Sequence, residues 1–133
     1  MANLDVLETR KKSPTKLTKN SKLYKAVIEA LQDIKGENIV SLDLRNVHES
    51  VADFFIICSA NSTTQVKALA DNVDKVVSEK CDERPYKQEG FTALQWVLMD
   101  YVNIVIHIMH PSAREFYKLE EMWSDAETTG HDL

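Results

Sequence analysis

The segment Asp53-Phe-Phe-Ile-Ile-Cys58 decides how this chain folds. Every side chain after Asp53 is apolar or sulfur-bearing, so the strand that the segment predicts must be covered on both faces. Such a strand lies in the middle of a sheet that has helices on each side. The segment therefore predicts the centre of a layered α/β domain.

Helical and strand patterns alternate on either side of this segment. Apolar residues recur at helical spacing over residues 23–35, and Gly36 stands where that helix is expected to end. Residues 39–44 have the alternation of a strand. Ser62 followed by Gln65 is a capping box, and it opens a long second helix. This half of the chain therefore predicts the order helix, strand, strand, helix.

The second half predicts a hairpin and a last helix. Residues 94–99 and 104–109 are two apolar strands around a short link, which is typical of an antiparallel hairpin. Residues 81–88 predict a loop or a short edge strand, and Ser112 with Glu115 predicts the capping box of a third helix. The predicted fold is one α/β (α+β) domain of order α-β-β-α-(β)-β-β-α, with a mixed four- to five-stranded sheet flanked by helices.

Charge and composition divide the chain into a flexible basic arm at 1–19, a folded domain at 20–126 and a C-terminal tail at 127–133. Residues 1–25 carry seven basic and two acidic side chains. The rest of the chain carries nine basic and nineteen acidic ones, a net charge of −10. Such a body is repelled by phosphate backbones and suits a basic protein partner. Only the arm could contact RNA, and a solubilising, disordered end is the alternative.

Composition also argues against several protein classes. No apolar run approaches the ~20 residues that span a bilayer, and the first residues lack the pattern of a secretion signal. The two cysteines, Cys58 and Cys81, cannot build a disulfide framework or a four-thiolate zinc site. We therefore expect a cytoplasmic protein without membrane contact.

Residues with catalytic or metal-binding chemistry form no convincing group. Three glycines in the whole chain provide no glycine-rich phosphate loop. Asp71 and Asp74 lie on a predicted helix, whereas a nucleotidyltransferase places its magnesium carboxylates on a strand. His107 and His110 point to opposite faces of a strand. The sequence therefore predicts no catalytic residue, no metal site and no cofactor.

The hairpin is the best candidate for a binding surface. Trp96, Leu98 and Asp100 share one face of its first strand, and Met99 and Tyr101 share the other. Three helices can leave one apolar face of the sheet partly bare. A bare patch with tryptophan, tyrosine and methionine is typical of a protein interface. A purely structural role for Trp96 in the core is the alternative.

Several motifs, taken in order, resemble the ribosomal silencing factor family, which is also called Iojap. The similarity extends from about residue 23 to residue 125, and its order and spacing make it specific. Ala60 stands where the family commonly has glycine. The motifs are Asp53-Phe-Phe-Ile-Ile57, Asn61-Ser62, Gln65-Val-Lys-Ala68, Glu89-Gly90, Trp96-Val-Leu-Met-Asp-Tyr101, His107 and Arg114-Glu-Phe-Tyr-Lys-Leu-Glu-Glu-Met-Trp123.

The resemblance implies a bacterial or organellar factor that binds the large ribosomal subunit. The implied partner is the basic ribosomal protein numbered fourteen. Occupying its surface blocks association with the small subunit and represses translation when nutrients are short. The family's fold is related to that of nucleotidyltransferases, but the family has no established catalytic role. We therefore expect a translation repressor that acts sterically and is not an enzyme.

This hypothesis assigns partner binding to the hairpin and its neighbourhood. Trp96 or Tyr101 would be the aromatic anchor, and Asp100 would pair with a lysine or arginine of the partner. Two alternatives remain open: a nucleotidyltransferase-like enzyme with its site near Asn61, and a module that forms a homodimer through the hairpin when free of the ribosome. The six assigned residues are Trp96, Leu98, Met99, Asp100, Tyr101 and Phe91.

Overall fold

A computed structural model describes residues 17–19, 21–47 and 50–132. Most of the predicted flexible arm, residues 1–16, therefore lies outside the described residues. The helices and strands follow one another as α1 (Lys22–Asp33), β1 (Glu37–Asp43), β2 (Phe54–Ser59), α2 (Thr63–Cys81), β3 (Lys87–Glu89), β4 (Trp96–Asp100), β5 (Ile104–Met109), α3 (Pro111–Tyr117), α4 (Leu119–Met122) and β6 (Glu127–Gly130).

These strands form one mixed sheet in the order β3-β4-β5-β2-β1-β6. β2 and β5 run parallel, and the other four neighbouring pairs are antiparallel. All six residues of β2 are buried. The predicted mixed sheet with helices on both sides, and its buried central strand, are confirmed.

Two separate hydrophobic cores lie on the two faces of this sheet. Alternate side chains of β2 divide between them, because successive residues of a strand point in opposite directions. Phe54 and Ile56 join the core that α1 and α2 cover. Phe55 and Ile57 join the core that contains Leu119 of α4. The second core is covered by two short helices, of seven and four residues, and by Leu44 and Ala52 of the segment between β1 and β2.

Side-chain caps fix where the helices begin. The Ser62 Oγ accepts from the Gln65 N–H at 3.1 Å, which confirms the predicted capping box of α2. The predicted capping box of the last helix is wrong. α3 is capped by His110, whose Nδ1 accepts from the Ser112 N–H at 3.2 Å. Pro111 explains the earlier start, because its fixed φ suits the first position of a helix.

A sixth strand replaces the predicted C-terminal tail. β6 pairs antiparallel with β1, so that Thr129 lies opposite Ser41. The His131 N–H then donates to the Ile39 carbonyl at 2.8 Å, and the His131 Nε2 lies 2.9 Å from the Ser41 Oγ. The predicted count of four to five strands was too low because the β6 segment, Glu-Thr-Thr-Gly, is short and polar, as exposed edge strands often are.

Gly90 is the glycine whose substitution tests this fold most directly. It has a φ of +92° at the β3–β4 turn, where a methyl group would press on the Trp96 carbonyl. We expect Gly90→Ala to lower the free energy of unfolding by about 2 kcal/mol or more, since strain of this kind costs on the order of 1–3 kcal/mol before any clash. Urea denaturation measures the change.

Gly130→Ala is the matched control for this prediction. A methyl group at Gly130 meets no atom within 4 Å, so its unfolding free energy should stay within about 0.5 kcal/mol of the original. Equal effects of the two substitutions would contradict the turn geometry described here.

Candidate partner-binding surface

The structure places five of the six predicted partner-binding residues in the interior. None of the five is more than 4% exposed. The expectation of a bare aromatic patch on the hairpin is wrong for this structure, because helices cover both faces of β4. Phe91, at the β3–β4 turn, is only partly buried. The five interior residues are Trp96, Leu98, Met99, Asp100 and Tyr101.

The buried residues also lie on opposite faces of the sheet. Trp96 and Leu98 belong to the core beneath α3 and α4. Met99 and Tyr101 belong to the core beneath α1 and α2, and Phe91 packs against that same core. A partner that approaches the folded domain from one side cannot contact both sets.

Asp100 has a structural role in the β4–β5 turn. Its Oδ1 accepts from the Val102 N–H at 2.7 Å, and Val102 has a positive φ of 70°. The carboxylate is fully buried. This hydrogen bond stabilises a strained turn residue. A buried carboxylate in this position is not presented to a lysine or arginine of another protein.

Trp96 belongs to an aromatic cluster around a buried histidine. The Trp96 Nε1–H donates to the His107 Nδ1 at 3.0 Å, so the histidine proton is on Nε2. Burial lowers the pKa of His107 to about 3, which keeps the ring neutral. The ring centroids of Trp96 and Tyr117 are 4.7 Å apart, and those of His107 and Phe55 are 4.6 Å apart. Trp96 thus packs between the sheet and α3.

His107 and His110 make separate contacts in this structure. His107 is committed to Trp96, while the His110 Nδ1 caps α3. Within the part of the chain that the structure describes, no three histidine, cysteine, aspartate or glutamate side chains are grouped so that they could hold a metal ion.

Two of the three large exposed hydrophobic side chains of the described residues lie instead on the short C-terminal helices, and the third is Tyr86. Phe116 on α3 is 78% exposed and Met122 on α4 is 58% exposed. Glu115, Glu121 and Asp125 are exposed in the same segment. We call the five residues of this segment the C-terminal surface. Its combination of apolar and acidic side chains is suited to a basic protein partner.

The sequence pattern does not show that Phe116 is exposed, because Phe116, Leu119 and Trp123 have the spacing of one side of a continuous helix. Lys118 adopts a left-handed conformation with a φ of 48° and ends α3 there. The direction of the chain changes, so Leu119 is buried while Phe116 faces solvent. No strong helix-breaking residue marks this position in the sequence.

Arg114 closes a polar cleft next to the C-terminal surface. Its guanidinium donates to both oxygens of Glu120, at 3.1 and 3.2 Å, and to the Ser59 Oγ at 2.9 Å and the Asn38 carbonyl at 2.8 Å. The cleft has a volume of about 390 Å³. Because these partners already hold the cation, Arg114 anchors α3 to the end of β2.

The segment around Asn61 has equally local roles. The Asn61 Nδ2 donates to the Glu37 Oε1 at 2.8 Å, and its N–H donates to the Gln65 side chain. Asp71, one of the two acidic residues considered for metal binding, forms an exposed ion pair with Lys67 at 2.8 Å. The Asn61 contacts lie at the start of α2, and the ion pair lies on its exposed face.

Among the described helices, none is both long enough and apolar enough to cross a membrane.

His107 predicts a pH dependence of stability. Its pKa is lowered from 6.5 to about 3 in the folded protein, so the unfolded chain takes up the proton first as the pH falls. The stabilisation is complete above pH 6.5 and is lost at roughly 1.4 kcal/mol per pH unit below it. Between pH 7 and pH 5, we expect the original protein to lose about 2 kcal/mol more than His107→Gln in urea unfolding.

The glutamine was chosen because its amide oxygen can still accept the Trp96 N–H. His131→Gln is a comparison and not an unaffected control, because burial and Lys19 lower the pKa of His131 as well and its pH dependence should change in the same direction. A stability profile of His107→Gln parallel to that of the original protein would show that His107 is not the buried neutral group described here.

Comparison with known proteins identifies the family. Residues 17–133 match the family model described as "Ribosomal silencing factor during starvation". The ribosomal silencing factor RsfS of Halalkalibacterium halodurans is 38% identical over 109 residues, which are 82% of this chain and 92% of that protein. The mouse protein "Mitochondrial assembly of ribosomal large subunit protein 1" is 39% identical over 74 residues, which are 54% of this chain and 32% of that one.

A crystal structure of a protein from Chromobacterium violaceum has the same fold. It is 36% identical, with a TM-score of 0.72, and the match covers 77% of this chain and 83% of that one. The fold, the family model and the relatives agree with the resemblance seen in the motifs. The chain therefore belongs to the ribosomal silencing factor family RsfS, whose members are ribosome-associated regulatory factors and not enzymes.

Proposed function

We propose that this protein binds the large ribosomal subunit through the basic ribosomal protein numbered fourteen and sterically blocks association with the small subunit. In the bacterial cytoplasm this would repress translation, above all when nutrients are limited. Membership in the silencing factor family is the observation that carries the proposal. The starvation in the family description and the large subunit in the name of the mouse relative also support it.

The charge distribution supports a basic protein as the direct partner. From residue 26 onwards the chain carries nine basic and nineteen acidic side chains. Exposed acidic residues also occur in the same segment as the exposed apolar side chains of the C-terminal surface, namely Glu115, Glu121 and Asp125. Complementary charge accelerates the encounter with a basic partner and disfavours direct docking on RNA.

The C-terminal surface is the docking face that we propose. Phe116 is the candidate anchor, because an exposed aromatic ring can be buried on binding while acidic side chains form the rim. The residues first assigned to partner binding take an indirect role in this proposal. Trp96 and Leu98 lie beneath α3 and α4 and hold them in place.

The mechanism that we propose requires no chemistry. Once the domain is seated on the large subunit, it occupies volume that the small subunit needs in order to join. The effect then depends on how long the domain stays bound and on where it sits. Its strength is set by the contact surface.

Cosedimentation with isolated large subunits tests the docking face. We expect Phe116→Ala to weaken binding about 30-fold, since a central aromatic anchor is worth about 2 kcal/mol. Glu121→Lys should also weaken binding relative to the original protein at low salt, because it reverses one charge of the rim. Both positions are exposed, so the unfolding midpoint should not change.

Tyr86→Ala is the matched control, since Tyr86 is 62% exposed beside β3, outside the C-terminal surface. It should bind like the original protein. Equal loss in Tyr86→Ala and Phe116→Ala would contradict the docking face. The steric proposal itself fails if saturating protein leaves the association of purified subunits unchanged.

Sedimentation at several concentrations tests the homodimer alternative. If Phe116→Ala abolished self-association while leaving large-subunit binding intact, the C-terminal surface would be a dimer interface and the ribosomal contact would lie elsewhere. Trp96→Ala is unsuitable as a docking probe, because emptying this core position is expected to cost about 3–5 kcal/mol of stability.

A further inference from the structure

We propose that residues 127–132 form a strap that leaves β1 in mildly acidic solution, and that protonation of His131 drives this release. The segment consists of β6 followed by His131 and Asp132, and we call it the C-terminal strap. The inference concerns one edge of the sheet. It does not depend on the proposed docking on a ribosomal protein.

The C-terminal strap is held by hydrogen bonds and buries little apolar surface. Its sequence, Glu-Thr-Thr-Gly-His-Asp, contains no hydrophobic side chain. Three of the four residues of β6 are exposed, and β6 is the last strand of the sheet, with β1 as its neighbour. A segment with few buried apolar contacts opens at a lower free energy than the core. The strap can therefore leave the sheet while both hydrophobic cores stay folded.

His131 makes the contacts that fasten the strap most firmly. Its N–H donates to the Ile39 carbonyl at 2.8 Å, and its carbonyl accepts from the Gln32 Nε2 at 2.8 Å. The neighbouring Asp132 Oδ1 accepts from the Ile39 N–H at 2.9 Å. The His131 ring packs edge-on against the Tyr24 ring, with centroids 5.9 Å apart. The position of the strap therefore depends on how well the His131 ring is accommodated.

The His131 ring shares a triangle of hydrogen-bonding atoms with two buried hydroxyl groups. The Tyr24 and Ser41 oxygens are 2.7 Å apart, and the His131 Nε2 lies 2.9 Å from the Ser41 oxygen and 3.1 Å from the Tyr24 oxygen. Tyr24 is 5% exposed and Ser41 is 1% exposed. While Nε2 carries no proton, one hydroxyl donates to the other and the second donates to Nε2. Both hydroxyl hydrogens then have acceptors, so the triangle suits a neutral His131.

Protonation of His131 breaks this match. The charged ring donates from both nitrogens, so Nε2 can no longer accept a hydrogen bond. Three hydrogens then meet two hydroxyl oxygens, and one hydroxyl hydrogen is left in the interior without an acceptor. A buried donor without an acceptor is costly, whereas water satisfies it once the strap has left. The charged form of His131 therefore favours the released strap.

The charges around the ring act mainly against its protonation. Lys19 faces the ring from the segment before α1, Tyr24 from α1 and Asp132 from the strap itself, while β1 contributes the Ser41 hydroxyl. Burial lowers the pKa of His131 most, Lys19 lowers it further, and Asp132 partly opposes them.

Lys19 is itself held beside the strap. Its Nζ lies 3.3 Å from the Thr129 Oγ1 and 3.5 Å from the Glu127 Oε1. The Glu127 side chain is 73% exposed, so solvent weakens its compensation of the lysine charge. The same lysine thus fastens β6 and disfavours a second positive charge at His131.

The direction of the pH dependence follows from the lowered pKa of His131. In the released strap this pKa returns towards the ordinary 6.5, so the released form takes up the proton first as the pH falls. The attachment is complete above pH 6.5. Below it, the ratio of attached to released strap falls by about tenfold per pH unit, until the pH reaches the lowered pKa of the attached form.

Amide hydrogen exchange of the full chain, followed by NMR between pH 7 and pH 5, tests this inference. The protection factor of the His131 N–H should be about tenfold or more below that of the Ile56 N–H in β2, because the strap opens without the sheet. It should fall several-fold between pH 7 and pH 5, along the same curve as the titration of the His131 ring nitrogens.

His131→Gln removes the titrating group and should abolish this fall at position 131. His110→Gln is the matched control, because His110 lies at the start of α3 and should leave the fall unchanged. If position 131 of His131→Gln is unprotected at both pH values, the two curves of the original protein decide the question.

Four outcomes would overturn the inference. They are constant protection at His131 between pH 7 and pH 5, a fall that does not follow the His131 titration, an equal fall in His131→Gln, and equal protection of the His131 and Ile56 amides. The last outcome would show that the strap opens only when the whole domain unfolds. Large-subunit binding plays no part in these measurements, so the proposed function can fail without affecting them.

Discussion

The burial of β2 on both faces is the constraint on which the rest of the structure depends. One face is covered by α1 and α2, helices of 12 and 19 residues. The other has only the seven residues of α3 and the four of α4. Residues of the segment between β1 and β2, Leu44 and Ala52, also belong to this core. Large rings fill its centre, where Trp96 and Phe55 both contact the buried His107.

The same constraint places the exposed apolar residues. The helical segment over the second face changes direction at Lys118, whose left-handed conformation separates α3 from α4. The turn directs Leu119 into the core and leaves Phe116 exposed. α3 is also attached to the sheet by Arg114, which donates to Ser59 at the end of β2. The C-terminal surface is thus a consequence of the way in which α3 and α4 pack over the second core.

Features of the sequence that depend on neighbouring residues were predictable. The apolar run of β2, the Ser62 capping box and the strands of the β4–β5 hairpin each carry a local pattern. Features that depend on distant pairing were not. β6 has no strand pattern of its own and exists because β1 offers it an edge. The alternation of Trp96 and Met99 showed that they lie on different faces, but it could not show that both faces are covered.

The buried polar groups explain why the motif residues should act indirectly. Asp100 holds a turn, His107 accepts a hydrogen bond from Trp96, and Arg114 holds α3. Each of these three hydrogen bonds is made inside the domain, and removing one partner of such a pair costs the desolvation of the other, about 1–3 kcal/mol. A substitution at these positions therefore lowers the population of folded protein before it alters any contact surface. Loss of binding in such a variant identifies a docking residue only when the stability of that variant is unchanged.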